Sequence, residues 1–264
     1  MIQMKKVLSL VIIISIFTSL LVGCGGKGTN NRLEEIKKSG ELKFAMDATY
    51  PPMEFVDSKT NLEGFDVDIS KAVAKKLGVK AKFINISFDG IFSALQAKKF
   101  DVVQCALSVT DERKKTVLFT KPYIYGGSAI YVKKGNSSIK SISDLNGKIA
   151  GCQVGTTAQE SLSKINGIKK INKYNGSVEE FMDLENGRID FVACDSVLGD
   201  YYALKNKGRV EKAGFSLTKE PIAVGFRKSD TALRDAYQKA LDELKKDGTL
   251  SKLSIKWFGY DAYK

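Results

Sequence analysis

Twice along this chain a short apolar run, a stretch with helical periodicity and another apolar run follow one another, and that rhythm limits the folds open to it. In the first half Leu42-Lys43-Phe44-Ala45 reads as a strand. From Asp66, the apolar residues Ile69, Ala72, Val73 and Leu77 fall at i, i+3, i+4 and i+8 before Gly78 stops the helix. KAKFINI over 80–86 is strand-like, Phe88, Ile91, Phe92 and Leu95 make a second helical stripe, and FDVVQCAL over 100–107 reads as a buried strand. The second half has strands at Lys148–Cys152, Ile168–Lys173 and Ile189–Cys194, with helices starting near Thr156 and from Ser177. Thr157 with Glu160 and Ser177 with Glu180 match the S/T-x-x-E capping box. Strands alternating with helices imply parallel sheets covered on both faces, and two such units imply two lobes of an α/β protein. A last helix is expected from Ser229-Asp230 to Gly248, with Leu233, Tyr237, Ala240, Leu241 and Leu244 on one face and with Trp257 and Phe258 packing it onto a lobe.

The halves also echo each other residue by residue. Phe92-x-x-Leu95-x4-Phe100-Asp101-x-Val103 corresponds to Phe181-x-x-Leu184-x4-Ile189-Asp190-x-Val192. If the two are structurally equivalent, Cys105–Ser108 and Cys194–Asp195 stand at the carboxyl ends of matching strands, where open α/β sheets bind ligands.

The N-terminus sets the compartment. Lys5 and Lys6 precede an apolar run from Val7 to Val22 that ends in Gly23-Cys24. The run falls short of the roughly 18–20 residues a membrane span needs and ends on small residues, as a secretory signal does. Removing residues 1–23 takes away Lys5 and Lys6, lowering the formal charge of +12 by two. The remaining cations are spread through helical patterns, such as Lys71/Lys75/Lys76 and Lys239/Lys245/Lys246, beside carboxylates and without a basic-aromatic stripe; nucleic acid is not an expected partner. The absence of histidine excludes Ser-His-Asp and Cys-His catalysis and histidine-ligated metals, and no cofactor is expected. Three cysteines remain beyond Cys24 and read as small buried hydrophobes, with a Cys152–Cys194 bridge between neighbouring strands as the alternative.

Leu21-Val22-Gly23-Cys24 resembles the bacterial lipobox, in which the cysteine is acylated (palmitate among the acyl groups) and becomes the mature N-terminus. Behind it come DATYPPMEF, GFDVDISKAVAKKLGV, SFDGIFSALQAKKFDVV, LSVTDERKKTVLFTKPY, SISDLNGK, VGTTAQE, NGRIDFVACD and LKKDGTLSKLSIKWFG. In that order they resemble the polar amino-acid family of solute-binding proteins of ABC importers, from about Leu42 to Gly259. The resemblance implies a two-lobed periplasmic-binding-protein-like fold with crossing segments near Tyr123–Tyr131 and Pro221–Phe226. It implies a signal peptide at 1–23, a lipidated Cys24 and tether at 24–38, one lobe from 39–127 and 223–264, and a second from 128–222. The expected partners are a free amino acid, an importer permease and, through the lipid, the extracytoplasmic face of the cell membrane; the expected state is a monomer.

Arg113 offers a planar fork suited to a carboxylate. The family match implies that it holds the ligand's α-carboxylate with help from the backbone near Ser108 and Thr156, and that Asp195 meets the ammonium. On its own, Asp195 between a strand and a helix reads as an N-cap. Tyr50 and Phe88 match positions that flank the ligand side chain, and Asp47 and Gln153 match positions at its far end. Cys105, Ala106 and Thr157 complete the expected site. The extra carboxylate Asp47 favours a basic amino acid, with glutamine or another neutral polar one next. A dehydratase-like enzyme acting on a small carboxylic acid and a ligand-sensing lipoprotein are the competing functions. Replacing Cys24 by Ala is expected to abolish acylation and release the protein from the membrane fraction; unchanged processing and membrane association of Cys24→Ala would refute the lipobox.

Overall fold

The computed structural model describes residues 32–205 and 208–264; the expected signal peptide, Cys24 and residues 25–31 of the tether lie outside the described residues. Among the described residues no helix is long and apolar enough to cross a membrane. Two five-stranded sheets form the centres of two lobes. The first has the order Lys80–Asn85, Glu41–Met46, Val102–Val103, Gly225–Arg227, Val117–Phe119, and the second Lys170–Tyr174, Ile149–Gln153, Phe191–Asp195, Ser128–Lys133, Val210–Ser216. In each sheet the first three strands are parallel and the fourth runs against its neighbours.

The reversed strand has a physical cause. Ser128–Lys133 and Gly225–Arg227 are the strands that follow the two crossings between lobes, so each enters its sheet from the opposite end. The crossings pair with each other as an antiparallel ribbon of Ile124–Gly126 with Glu220–Ile222, matching the expected hinge segments. The internal echo is structural as well. Asp101 accepts a hydrogen bond from Lys43 N–H (3.1 Å) and its own N–H donates to Lys43 C=O (2.9 Å). Asp190 does the same with Ile149, at 2.7 and 2.8 Å. In both lobes an aspartate thus locks the start of the third strand to the second.

The predicted helices form and bury the predicted faces. Phe65–Lys76 buries Ile69 and Val73, and the helix Thr231–Lys246 buries Leu233, Tyr237, Ala240, Leu241 and Leu244. Fully burying each large apolar side chain of this kind contributes about 1.5–3 kcal/mol. Phe258 packs on Phe65 with ring centroids 4.7 Å apart.

Several local expectations change. Residues 32–38, inside the range expected to be tether, belong to the helix Arg32–Ser39; Ile36 is fully buried and Arg32 bonds Asp101 at 2.8 Å. A single buried residue in eight leaves too faint a stripe to read. Of FDVVQCAL only Val102–Val103 joins the ladder. Neither capping box forms. The cap of the helix Thr157–Ser163 is Thr156, one residue earlier, while the Thr157 hydroxyl donates to Glu220 at 2.8 Å. Gly176 precedes the helix Ser177–Glu185 without a side-chain cap, and Ser177 donates to Thr49 C=O at 2.6 Å. Cys105, Cys152 and Cys194 are free and buried, and the alternative Cys152–Cys194 bridge is absent. Gly151 pairs with Val192, so Cys152 and Cys194 sit one residue out of step and point to opposite faces, into different core clusters.

Gly199 lets the helix Ser196–Lys205, which Asp195 caps, lie close on the second sheet: a Cβ there would stand 2.0 Å from the buried Tyr131 ring. That ring is tied down by its hydroxyl, 2.7 Å from Asp200. Gly199→Ala is therefore expected to destabilise the protein by about 1–3 kcal/mol through overpacking, outweighing the gain of about 1 kcal/mol in helix propensity. Urea unfolding would check this, and an unchanged or raised midpoint would refute it.

Candidate functional site

The carboxyl ends of the two sheets face one cavity, which holds about 490 Å³ of space between atoms, part of it open to solvent. All eleven residues expected from the sequence line it: Asp47, Tyr50, Phe88, Cys105, Ala106, Ser108 and Arg113 from the segment before the first crossing, and Gln153, Thr156, Thr157 and Asp195 from the segment after it. The lining also includes Glu54, Ala158, Glu180, Ala193 and Cys194.

The cationic side of the cavity is Arg113. Thr110 caps the helix Asp111–Thr116 by accepting the Arg113 N–H at 3.1 Å. The acidic neighbours are otherwise engaged, Asp111 with Lys114 (3.0 Å) and Glu112 with Lys115. The guanidinium is 8 % exposed, donates to Ser108 C=O (2.9 Å) and Gly155 C=O (3.2 Å), and lies 5.4 Å from the Phe88 and Phe92 ring centroids. It has no ion-pair partner among the described residues, and burial pulls its pKa below the usual arginine value. A buried guanidinium bonded only to carbonyls is a receptor for an anion. Beside it Ala106 adopts a left-handed φ of 48°, held by its N–H bond to Asp66 (2.8 Å). A non-glycine residue in that region costs about 1–3 kcal/mol, strain that clusters at functional sites.

Four carboxylates form the anionic side. Asp195 does cap its helix, accepting Val197 N–H at 2.8 Å, and its other oxygen takes Gly127 N–H at 2.9 Å. Burial pushes its pKa up to about 6 against those two bonds. Gly126 leaves room for it, since a Cβ there would lie 2.5 Å from the carboxylate. Asp47 accepts from the Thr49 hydroxyl (2.8 Å) and from the Gln153 amide, which reaches it from the opposite lobe and also donates to Asn175 C=O (3.0 Å). Burial raises the Asp47 pKa, partly offset by the bonds from Thr49 and Gln153. Glu54 and Glu180 are fully buried, and neither carboxylate has a hydrogen-bond partner. Burial raises both pKa values well above the usual range, with Asp66 and Asp47 adding to the rise at Glu54 and Glu179 at Glu180.

These two glutamates were not read from the sequence as site residues. Glu54 lies inside DATYPPMEF without any local mark of burial. Glu180 carried a usable signal: with Ser177, Phe181 and Leu184 it falls on the buried face of its helix, where an acidic residue has no ordinary reason to be.

The family model of bacterial extracellular solute-binding proteins, family 3, matches residues 42–260. The L-cystine-binding protein TcyJ of Escherichia coli (strain K12) is 35 % identical over 234 residues, 88 % of each chain. ABC transporter arginine-binding protein 1 of the same organism is 33 % identical over 223 residues, 83 % of this chain and 90 % of that one. Among solved structures, an ancestral arginine-binding protein bound to arginine superposes with a TM-score of 0.80 and 43 % identity, covering 83 % of this chain and 99 % of its own. The sequence relatives are transport-associated binding proteins, and the solved structure shares the two-lobed architecture. With its fold and paired-charge cavity, this chain belongs to the bacterial extracellular solute-binding proteins, family 3.

Proposed function

We propose that this protein is a lipid-anchored receptor on the extracytoplasmic face of the cell membrane that captures one free polar amino acid, a basic one by preference, and delivers it to an ABC importer permease. The observation that carries the reading is the cavity's charge pattern: a buried guanidinium without a counter-ion and buried carboxylates without cations, on surfaces that face each other. A zwitterion supplies both missing charges. Arg113 takes the α-carboxylate through a two-pronged contact, Asp195 takes the ammonium, and Tyr50 and Phe88 flank the side chain, adding cation–π attraction for a basic ligand. Relatives named for arginine and cystine binding agree with this ligand class. Glutamine or another neutral polar amino acid is the next choice.

Arg113 lies in the lobe assigned to 39–127 and 223–264, and Asp195 in the lobe assigned to 128–222. Both ends of the amino acid are satisfied together when the lobes meet, so binding and closure are one equilibrium about the paired crossings. The contacts Asp47–Gln153, Arg113–Gly155 and Ser177–Thr49 across the cleft are those of a closed state. The protein acts as a monomer tethered through Cys24, needs no cofactor, and has no catalytic step.

Arg113→Ala is expected to weaken amino-acid binding by about 2–5 kcal/mol, since it strands a desolvated carboxylate. Calorimetry should show a loss of roughly thirtyfold to several thousandfold, with folding retained; an affinity within threefold of wild type would refute the assignment. A second outcome concerns pH. The free-state pKa of Asp195 is raised to about 6, and a ligand ammonium beside it favours the ionised form, so binding expels a proton wherever Asp195 was protonated. Affinity is therefore full above that value and lost as pH falls through it, by about tenfold between pH 7 and pH 5. With a neutral amino acid such as glutamine as the probe, an Asp195→Asn variant should lose this slope, and a wild-type affinity flat across that window would contradict the ammonium assignment.

A further inference from the structure

We infer that Glu54 and Glu180, one from each side of the cavity, form the receptor for a second positive charge at the side-chain end of the ligand. The inference rests on the amino-acid reading above and deepens it, since it moves the distal charge from Asp47 to two other residues. Both glutamates are 0 % exposed, both line the cavity, and all four of their carboxylate oxygens lack a hydrogen-bond partner. Buried polar groups are nearly always hydrogen-bonded, and a carboxylate left without a partner is among the most costly groups to bury. Two such orphans on one cavity call for a partner that enters it.

The described residues do not supply one. Asp66 and Asp47 act on Glu54 and Glu179 acts on Glu180, all of them acids. The other titratable groups within electrostatic reach of the pair include Tyr50, Cys105, Cys194 and Tyr202, none of them a cation; Tyr50 feels both glutamates. Asp47 is a poorer receptor, because one oxygen accepts from Thr49 and the other from Gln153 across the cleft. It serves as a latch between the lobes. Asp195 is likewise occupied, by two backbone N–H groups, and retains the α-ammonium role. The chemistry left unanswered at Glu54 and Glu180 is that of an ammonium or guanidinium on an aliphatic stem, as in lysine or arginine. A neutral amide would satisfy one hydrogen bond and supply no charge.

Arginine and citrulline separate charge from shape, since the ureido group of citrulline is a neutral isostere of guanidinium. Calorimetry on the wild-type protein, in two buffers of different ionisation enthalpy, is expected to show arginine binding at least about a hundredfold tighter than citrulline. It should also show more protons released by arginine, because burial raises both glutamate pKa values and a cation beside them favours the ionised form. Glu180→Gln and Glu54→Gln are each expected to cut the arginine-to-citrulline ratio tenfold or more. Thermal unfolding of the free variants checks folding, and the wild-type proton count stands even if a variant fails to fold. Equal ratios in wild type and both variants, equal proton release for the two ligands, or a ratio that collapses only in Asp47→Asn would each overturn the inference. Failure of every amino acid to bind wild-type protein would instead overturn the amino-acid reading.

Discussion

The structure depends on keeping an arginine and a set of carboxyl groups apart in one buried space. Arg113 and the carboxylates Asp195, Glu54 and Glu180 share one cavity, yet the guanidinium is bonded to carbonyls and two of the carboxylates are bonded to nothing. A direct salt bridge would neutralise them and would close the site to any ligand. Removing a charge from water costs several kcal/mol even after relaxation, so such an arrangement persists only where the surrounding core is strong enough to hold it. The price is visible in the raised pKa values of the acids and the lowered value of the arginine, all caused first by burial.

That core is provided by two sheets built to one plan. Asp101 and Asp190 make the same pair of bonds to the second strand of their own sheet, at Lys43 and Ile149. The chains leaving those strands then reach the cavity from opposite sides, as Cys105–Ser108 and as Asp195 with its helix. Behind the first of these, Asp66 is buried and accepts from Ala106 N–H, Tyr123 and Gln104, which fixes the strained turn at Ala106. Tyr123 stands just before the first crossing, so this network links the site floor to the hinge.

Asp195 makes the matching link in the second lobe. One oxygen caps its helix and the other holds Gly127, which has φ 132° and has no room for a side chain beside Thr218 C=O. The carboxylate proposed to meet the ligand's ammonium is thereby bonded to a crossing segment. Glu220, in the other crossing strand, accepts from Thr157 at the rim of the cavity.

Sequence periodicity by itself determined the two lobes, because a strand and an amphipathic helix each bury one face and the pattern of those faces is local. It also determined the eleven cavity residues, through motifs whose order along the chain matches a known family. The caps at Thr157 and Ser177 could not be read correctly, since both hydroxyls are taken by distant groups, Glu220 and Thr49, that local spacing does not see. The reversed fourth strand of each sheet depends on the route between lobes. The isolation of Cys152 from Cys194 depends on a one-residue register. The tertiary structure alone decided that Glu54 and Glu180 are unpartnered, because whether a buried carboxylate has a partner is a property of everything packed around it, contributed here by both halves of the chain.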